Sequence, residues 1–202
     1  MPNSLQKSSR LQKLNRLLPL VAIGTVADCQ SILEPTNRLL VKAGLQILQK
    51  NQHKIQGLSS LSIITGFVEK INSNYRLTSQ DLGFIFSPIL NSSGRVSHAR
   101  LSIATLLKDS KIVDISDLVL ENIELMNQST TELATKLFDT NTDRKLMVKE
   151  ILTDVELEAQ RQFDNNAKII WLEGNWSKGI IGLLASRLVN QYNLPTIVVS
   201  KE

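Results

Sequence analysis

The apolar run Val21–Ala27 ends directly in Asp28, without the Gly, Asn or Pro that usually closes a buried strand. A carboxylate in that place needs a partner. At the carboxyl end of a strand it would face the crevice where α/β sheets take their ligands, and it could hold a hard divalent cation there. As a turn or helix cap it would accept hydrogen bonds from nearby N–H groups instead. A second candidate is "SPILNSSGRVSHA", residues 87–99, which sets Pro88, Asn91, Ser92, Ser93 and Gly94 ahead of Arg95. Read as a loop, it exposes amides and hydroxyls that fix a phosphate while Arg95 supplies bidentate charge; a plain turn with a solvated arginine uses the same residues. His98 adds a donor or a metal ligand, or is a surface residue. The third, "LEGNWSKGIIGLLASRL", places Gly174, Gly179 and Gly182 between a strand and a helix. Its helix N-terminus at Gly179–Ile181 is suited to an anion, although the spacing fits neither a Walker A loop nor the dinucleotide fingerprint. Trp176 in that turn either stacks on a base or sugar or caps a core.

The elements that would position these residues read as α/β. Leucines 5, 11, 14, 17 and 18 among Lys and Arg predict a helix ending at Pro19, and Leu20–Val26 then reads as a buried strand. Pro35 opens a helix capped by Thr36 or Asn37, with Leu39, Leu40, Ala43, Ile47 and Leu48 on one face. Periodicity predicts further helices over 58–72 and from Val96 to Leu107, and Thr78 opens a short one. From Ser129 to about Phe163 a long helix with Leu133, Leu137, Leu146, Ile151, Val155 and Ala159 as its apolar positions suits a connector between two lobes. The last stretch is a βαβ unit: "AKIIWL", then Ile180–Tyr192 as helix, then "PTIVVS" as the next parallel strand.

Composition bounds the partners. With 42% hydrophobic and 21% charged residues the chain is ordinary globular material, and its net charge of +4 with a pI near 9.2 leans mildly toward a polyanion. Cys29 alone excludes an internal disulfide, and no run approaches the roughly 18 apolar residues that cross a bilayer. The apolar segment after the basic N-terminus runs into Thr25–Asp28 without a small-residue cleavage site, so export is not expected and a reducing cytoplasm is.

Taken in order, the motifs resemble a known family. "GTVAD", "NR" (Asn37, Arg38) before an amphipathic helix, "LGF" with Pro88, Leu90, Asn91, Gly94 and Arg95, Asn141 and Arg144 in the long helix, "W.KGIIGLLASRL" and "PTIVVS" are similar in order and spacing to RecJ-type single-strand-specific DNA exonucleases of the DHH phosphoesterase superfamily. The likeness runs from about Leu17 to Ser200. It implies that Asp28 is a ligand of a two-metal manganese or magnesium centre and that Arg95 holds a DNA backbone phosphate, with Asn91, Ser93, Gly94 and His98 in the same loop. It further implies that Trp176, Ser177, Lys178 and Gly179 lie beside the strand in the start of a DHHA1 lobe. The implied layout is the C-terminal part of a parallel-sheet DHH domain over 1–130, a connecting helix over 131–165 and the first part of a smaller α/β DHHA1 domain over 166–202. The implied activity is metal-dependent 5′ to 3′ removal of nucleotides from single-stranded DNA in recombination and repair.

The sequence also departs from that family. Its His-x-Asp-x-Asp and Asp-His-His motifs do not occur, and His53 and His98 are the only histidines. Ser177 stands where members usually have His, and His98 where most have Asp. The glycine- and serine-rich motif that follows the last strand in the family does not occur either. These departures fit a split or truncated member that turns over no substrate alone, whose missing N-terminal half would act in trans. The strands Leu20–Val26 and Thr196–Ser200 would then leave open apolar edges, through which the isolated chain aggregates or dimerises. A different class also fits: a non-catalytic single-strand binding or replication-accessory protein using Arg95, Arg144, Lys178 and Arg187. A small-substrate phosphodiesterase fits less well, because no Gly-Gly-Gly-His-like signature is found.

Overall fold

The buried positions around Leu20 follow a helical period: Pro19, Ala22 and Ile23 are buried and Val26 half-buried, while Val21 and Gly24 face solvent. That spacing of i, i+3, i+4, i+7 is one helix face. The expected strand Leu20–Val26 is accordingly part of helix α1 (Asn3–Ala27), which passes through Pro19 without ending. The run lacks polar alternation because its solvent-facing positions happen to be Val21 and Gly24. In this computed structural model, residues 3–50, 55–96, 98–108, 125 and 127–201 are described; His53 and Ser97 lie outside them.

The architecture is mostly helical, not the parallel-sheet domain expected for the first part of the chain. Among the described residues there is one sheet, of two strands. Helix α2 (Pro35–Gln49) has Pro35 in its first turn, with Glu34 rather than Thr36 or Asn37 at the cap position. Its buried face is Val41, Gly44 and Leu48, whereas the expected Leu39 is exposed. The predicted helix over 58–72 is two, α3 (Gln56–Ile64) and α4 (Phe67–Asn72), broken at Gly66, whose φ of 68° lies in the left-handed region. Thr78 opens α5 (Ser79–Asp81) through a capping box with Asp81. A π-helical turn (Leu82–Phe86) follows, then α6 (Ser87–Val96). The helix expected from Val96 begins at Arg100, as α7 (Arg100–Leu107). The long helix appears as α8 (Thr130–Asp164). Strand β1 (Ile170–Gly174), helix α9 (Lys178–Tyr192) and strand β2 (Thr196–Ser200) form the expected βαβ, with Ile170 opposite Thr196 in a parallel pair.

Two compact units result: Met1–Asn91 with Arg100–Phe138, and Ser92–Ala99 with Asp139–Glu202. The first is built on Leu58, Leu61, Phe67, Leu82, Phe86 and Leu133, all fully buried, with the Phe67 and Phe86 rings edge to face at 4.9 Å. Two glycines permit its closest backbone approaches. A Cβ on Gly44 would stand 2.4 Å from the Leu18 carbonyl oxygen, and one on Gly57 would stand 1.6 Å from that of Thr105. In the second unit Val155, Ala159, Ile170, Leu172, Leu188 and Tyr192 pack together, a set drawn from α8, the sheet and α9. Gln162 of α8 hydrogen-bonds both the N–H and the C=O of Trp171, each at 2.8 Å, and so occupies the edge of β1 away from β2. The edge predicted at Leu20–Val26 does not exist, because that segment is helical.

Gly44→Ala should destabilise the first unit by about 2 kcal/mol or more, because the methyl meets backbone and the Ala22 side chain. Gly24→Ala, with open space around it, should be neutral or stabilise by up to about 1 kcal/mol through helix propensity. Urea unfolding of the two variants checks the packing of α1 on α2; similar midpoints would contradict it. At the start of α8, the Glu132 N–H donates to the Ser129 hydroxyl while its carboxylate accepts from the Ser129 N–H at 2.5 Å, and hydrogen bonding from the Ser129 backbone and then its side chain holds the carboxyl below the usual range. The stabilisation from this box is present above the unfolded carboxylate value and is lost as pH falls through the lower folded one. A Glu132→Gln variant should flatten stability in that window, read from urea midpoints at stepped pH.

Candidate functional site

Asp28 sits at the C-terminal end of α1, not at a strand end. Gln30 N–H donates to the Thr25 carbonyl and Cys29 N–H to that of Val26, with Cys29 in the left-handed region at φ 53°. This is the paired pattern that terminates helices, usually with Gly where Cys29 stands. The Asp28 carboxylate is exposed, and no hydrogen bond or ion pair holds it among the described residues. It is therefore not the cap that position alone allowed. Nor does stability account for it, since a carboxylate near a helix C-terminus faces the negative end of the dipole.

The stretch 87–99 is not the loop its composition predicts. Residues 87–96 are helical, and Ser92 and Ser93 are fully buried and already engaged in interactions. Their amides belong to a helix and their hydroxyls do not face solvent. Asn91 and Gly94 are exposed, Arg95 is half-buried, and His98 is exposed beyond the helix end. Asp28 and Asn91 belong to the first unit; Ser93, Gly94, Arg95, His98, Trp176, Ser177, Lys178 and Gly179 belong to the second.

Within the second unit Arg95 and the start of α9 interlock. The Arg95 guanidinium donates from Nη1 to the Gly179 carbonyl at 3.2 Å, and the Arg95 backbone lies so close that a Cβ on Gly179 would come within 2.0 Å of its carbonyl oxygen. Only glycine fits that approach. Ser177 caps α9 by accepting from the Gly179 N–H at 3.3 Å, and Lys178 is exposed beside it. Trp176 packs against Val148, Ile180 and Leu184, and its carbonyl accepts from Ser200, so its ring is partly committed to a core.

Helix α8 adds a buried arginine. Arg144 is only 9% exposed, and its Nε has no hydrogen-bond partner. Asn141, one turn earlier on the same helix, is also buried, with its Oδ1 unpartnered. Burial and then the charges of Arg95 and Arg187 push the Arg144 ionisation below the ordinary arginine range, with no carboxylate offsetting them. Arginine does not deprotonate under working conditions, so this is a charge held where charge is unfavourable. A cavity of about 200 Å³ lined by Arg144, Lys145, Arg187, Ser186 and Asn190 opens beside it. Like charges gathered without an acid make a site for an anion. The sequence grouped Arg95, Arg144 and Arg187, with Lys178, only as candidate strand contacts, without placing them in space. Their convergence was not legible, because it depends on how α8 and α9 pack. The burial of Asn141 with Arg144 could have been suspected from their one-turn spacing within a long amphipathic helix.

A metal centre does not assemble from the described residues: no group of three His, Cys, Asp or Glu is placed to hold an ion. Asp28 alone cannot serve two ions that each take several oxygen or nitrogen ligands. No helix among the described residues is long and apolar enough to cross a membrane.

No protein-family model matches the chain. It is 28% identical over 187 residues to the single-stranded-DNA-specific exonuclease RecJ of Bacillus subtilis, an alignment covering 92% of this chain and 20% of that protein. With the RecJ of Escherichia coli it shares 25% identity over 95% of this chain and 30% of the relative. The chain thus spans between a fifth and a third of the length of these curated relatives. In fold it is similar to the crystal structure of Thermus thermophilus RecJ in complex with Mn2+, with a TM-score of 0.69 at 24% identity over 93% of this chain and 24% of that one. A manganese-bound exonuclease RecJ gives 0.68 at 23% identity over 93% of this chain and 41% of that one.

The buried Arg144 Nε, without a hydrogen-bond partner, makes a stability test possible. Arg144→Met keeps the volume and removes the charge, so it should leave the protein as stable or more stable by about 1–2 kcal/mol at low salt, whereas Arg144→Ala should be destabilising. Urea denaturation of the second unit, followed by Trp fluorescence, reads both. Equal losses in Met and Ala would mean that the guanidinium itself supports the fold.

Proposed function

Starting from a chain that is RecJ-like in sequence and in fold, we propose that it forms the strand-gripping part of a RecJ-type exonuclease, a metal-dependent 5′ to 3′ nuclease on single-stranded DNA in recombination and repair. The observation that carries this reading is the arginine convergence around Arg144: a buried cation without a counter-ion is balanced when a backbone phosphate enters. Arg95 and Arg187 share that charge, and Lys178 with the Ser177-capped start of α9 offers a further cationic contact beside Arg95. Asn91, Gly94 and His98 are exposed polar positions on the same segment as Arg95 or next to it. In this reading the buried Ser93 supports that segment, and the partly packed Trp176 holds the turn before α9.

Asp28 contributes one carboxylate toward a manganese or magnesium ion. Its exposure, the lack of a partner and its place at the unfavourable end of α1 are what a ligand awaiting a cation would show. Hydrolysis itself needs further ligands, supplied in trans or by additional chain, so the 202 residues alone bind strands without cleaving them. A cytoplasmic setting accords with that role. Loss of turnover with retained binding also describes the second reading, a non-catalytic single-strand binding protein. The two part on whether the Asp-His-His segment of a RecJ-type protein restores cleavage that depends on Asp28.

Fluorescence anisotropy with a labelled oligodeoxynucleotide over a salt series tests the grip. Arg95→Ala and Arg144→Met should each weaken binding and flatten the log–log salt slope by about 0.7, the loss of one single-strand phosphate contact. Unchanged slopes in both would overturn the reading. Metal-dependent release of nucleotides by the chain alone, abolished in Asp28→Ala, would show that it is itself catalytic.

A further inference from the structure

A second cavity, of about 440 Å³, lies wholly within the first unit, between α2 and the 74–79 segment. Four cations line it: Arg38, Lys42, Lys50 and Arg76. No carboxylate is among the lining residues, and none of the four cations is ion-paired among the described residues. The floor is apolar, with Val41 and Leu77 each 5% exposed. An aromatic wall is held in place. Tyr75 donates its hydroxyl to Asp81, whose second oxygen accepts from the Thr78 N–H and hydroxyl at 2.8 Å each. Gln49 then ties the segment to α2 by donating to the Tyr75 carbonyl and accepting from the Leu77 N–H. The Asp81 carboxylate is thus turned toward Tyr75 and Thr78. The hydrogen bond to Asp81 holds the Tyr75 phenol above the ordinary tyrosine range.

The combination selects among anions. Inorganic phosphate would leave the apolar floor wet, and an uncharged ring would leave four cations uncompensated. A volume in the range of small-ligand pockets, a fixed ring, an apolar floor and a cationic rim fit a planar body carrying phosphate. We infer that this cavity binds a nucleotide, with the base over Val41 and Leu77 beside Tyr75 and the phosphate at Arg38, Lys42 and Arg76. The inference stands on residues of the first unit and does not depend on the arginine convergence of the second.

Titration of the full chain with N-methylanthraniloyl-AMP, followed by competition with AMP, adenosine, inorganic phosphate and a poly-glutamate peptide, tests it. Saturable binding is expected, with AMP competing at least about tenfold better than adenosine or phosphate, because each lacks half of the contacts. The double variant Arg38→Ala/Arg76→Ala removes exposed side chains and should weaken binding about tenfold or more. If the double variant loses its helical circular dichroism, Lys42→Ala and Tyr75→Leu carry the same expectation. No saturable binding, equal binding in the cavity variants, or tighter competition by poly-glutamate would each overturn the inference. None of these outcomes touches the strand-binding salt slopes.

Discussion

Arg144 carries a charge into a place where charge is unfavourable, with two further guanidiniums near and no acid among the described residues to offset them. Much of the second unit is arranged around that constraint. Helix α8 has to present Arg144 inward, one turn from the buried Asn141, and α9 has to bring Arg187 to the same cavity. The Arg95 segment has to approach the start of α9 closely enough that position 179 tolerates no side chain. Burial of a cation without a counter-ion destabilises a folded state by itself, which is the basis of the strand contact proposed above.

The interlock of Arg95 with Gly179 shows how local choices serve that arrangement. Ser177 caps α9 by accepting from the Gly179 N–H, and the Gly179 carbonyl separately accepts from the Arg95 guanidinium and orients it. Trp176 fills the space between the turn and the core formed by Val148, Ile180 and Leu184. The sheet is small, yet its inner edge is closed by the Gln162 side chain, which imitates a neighbouring strand.

Elements whose pattern is local were legible in the sequence. The long helix from Ser129, the βαβ unit and the capping box at Thr78 all follow from spacing and cap chemistry. Leu20–Val26 was misread because Val21 and Gly24 put apolar residues on the solvent face, which hid the helical period of Pro19, Ala22, Ile23 and Val26. Pro19 also reads as a stop, although α1 continues through it. Residues 91–94 have turn composition, but burial of Ser92 and Ser93 outweighs their weak helix propensity. The exposed, unpartnered Asp28 was singled out by composition, but its place at a helix C-terminus was not, because the left-handed cap is carried by Cys29 rather than by glycine. Arg95, Arg144 and Arg187 were legible as candidate strand contacts, but the burial of Arg144 and its cavity were not, since the three are 49 and 43 residues apart along the chain and only tertiary packing joins them.

The central claim is that the buried Arg144 guanidinium is completed by a phosphate of a single strand. Side-chain 15N NMR of the arginine Nε–Hε groups, recorded while a short 5′-phosphorylated oligodeoxynucleotide is added, observes that contact atom by atom. The Arg144 Nε signal should move saturably with the strand, together with those of Arg95 and Arg187, and added salt should reverse the change. An Arg144 signal that stays fixed while the strand binds would show that the charge is buried for some other reason, and would contradict the account.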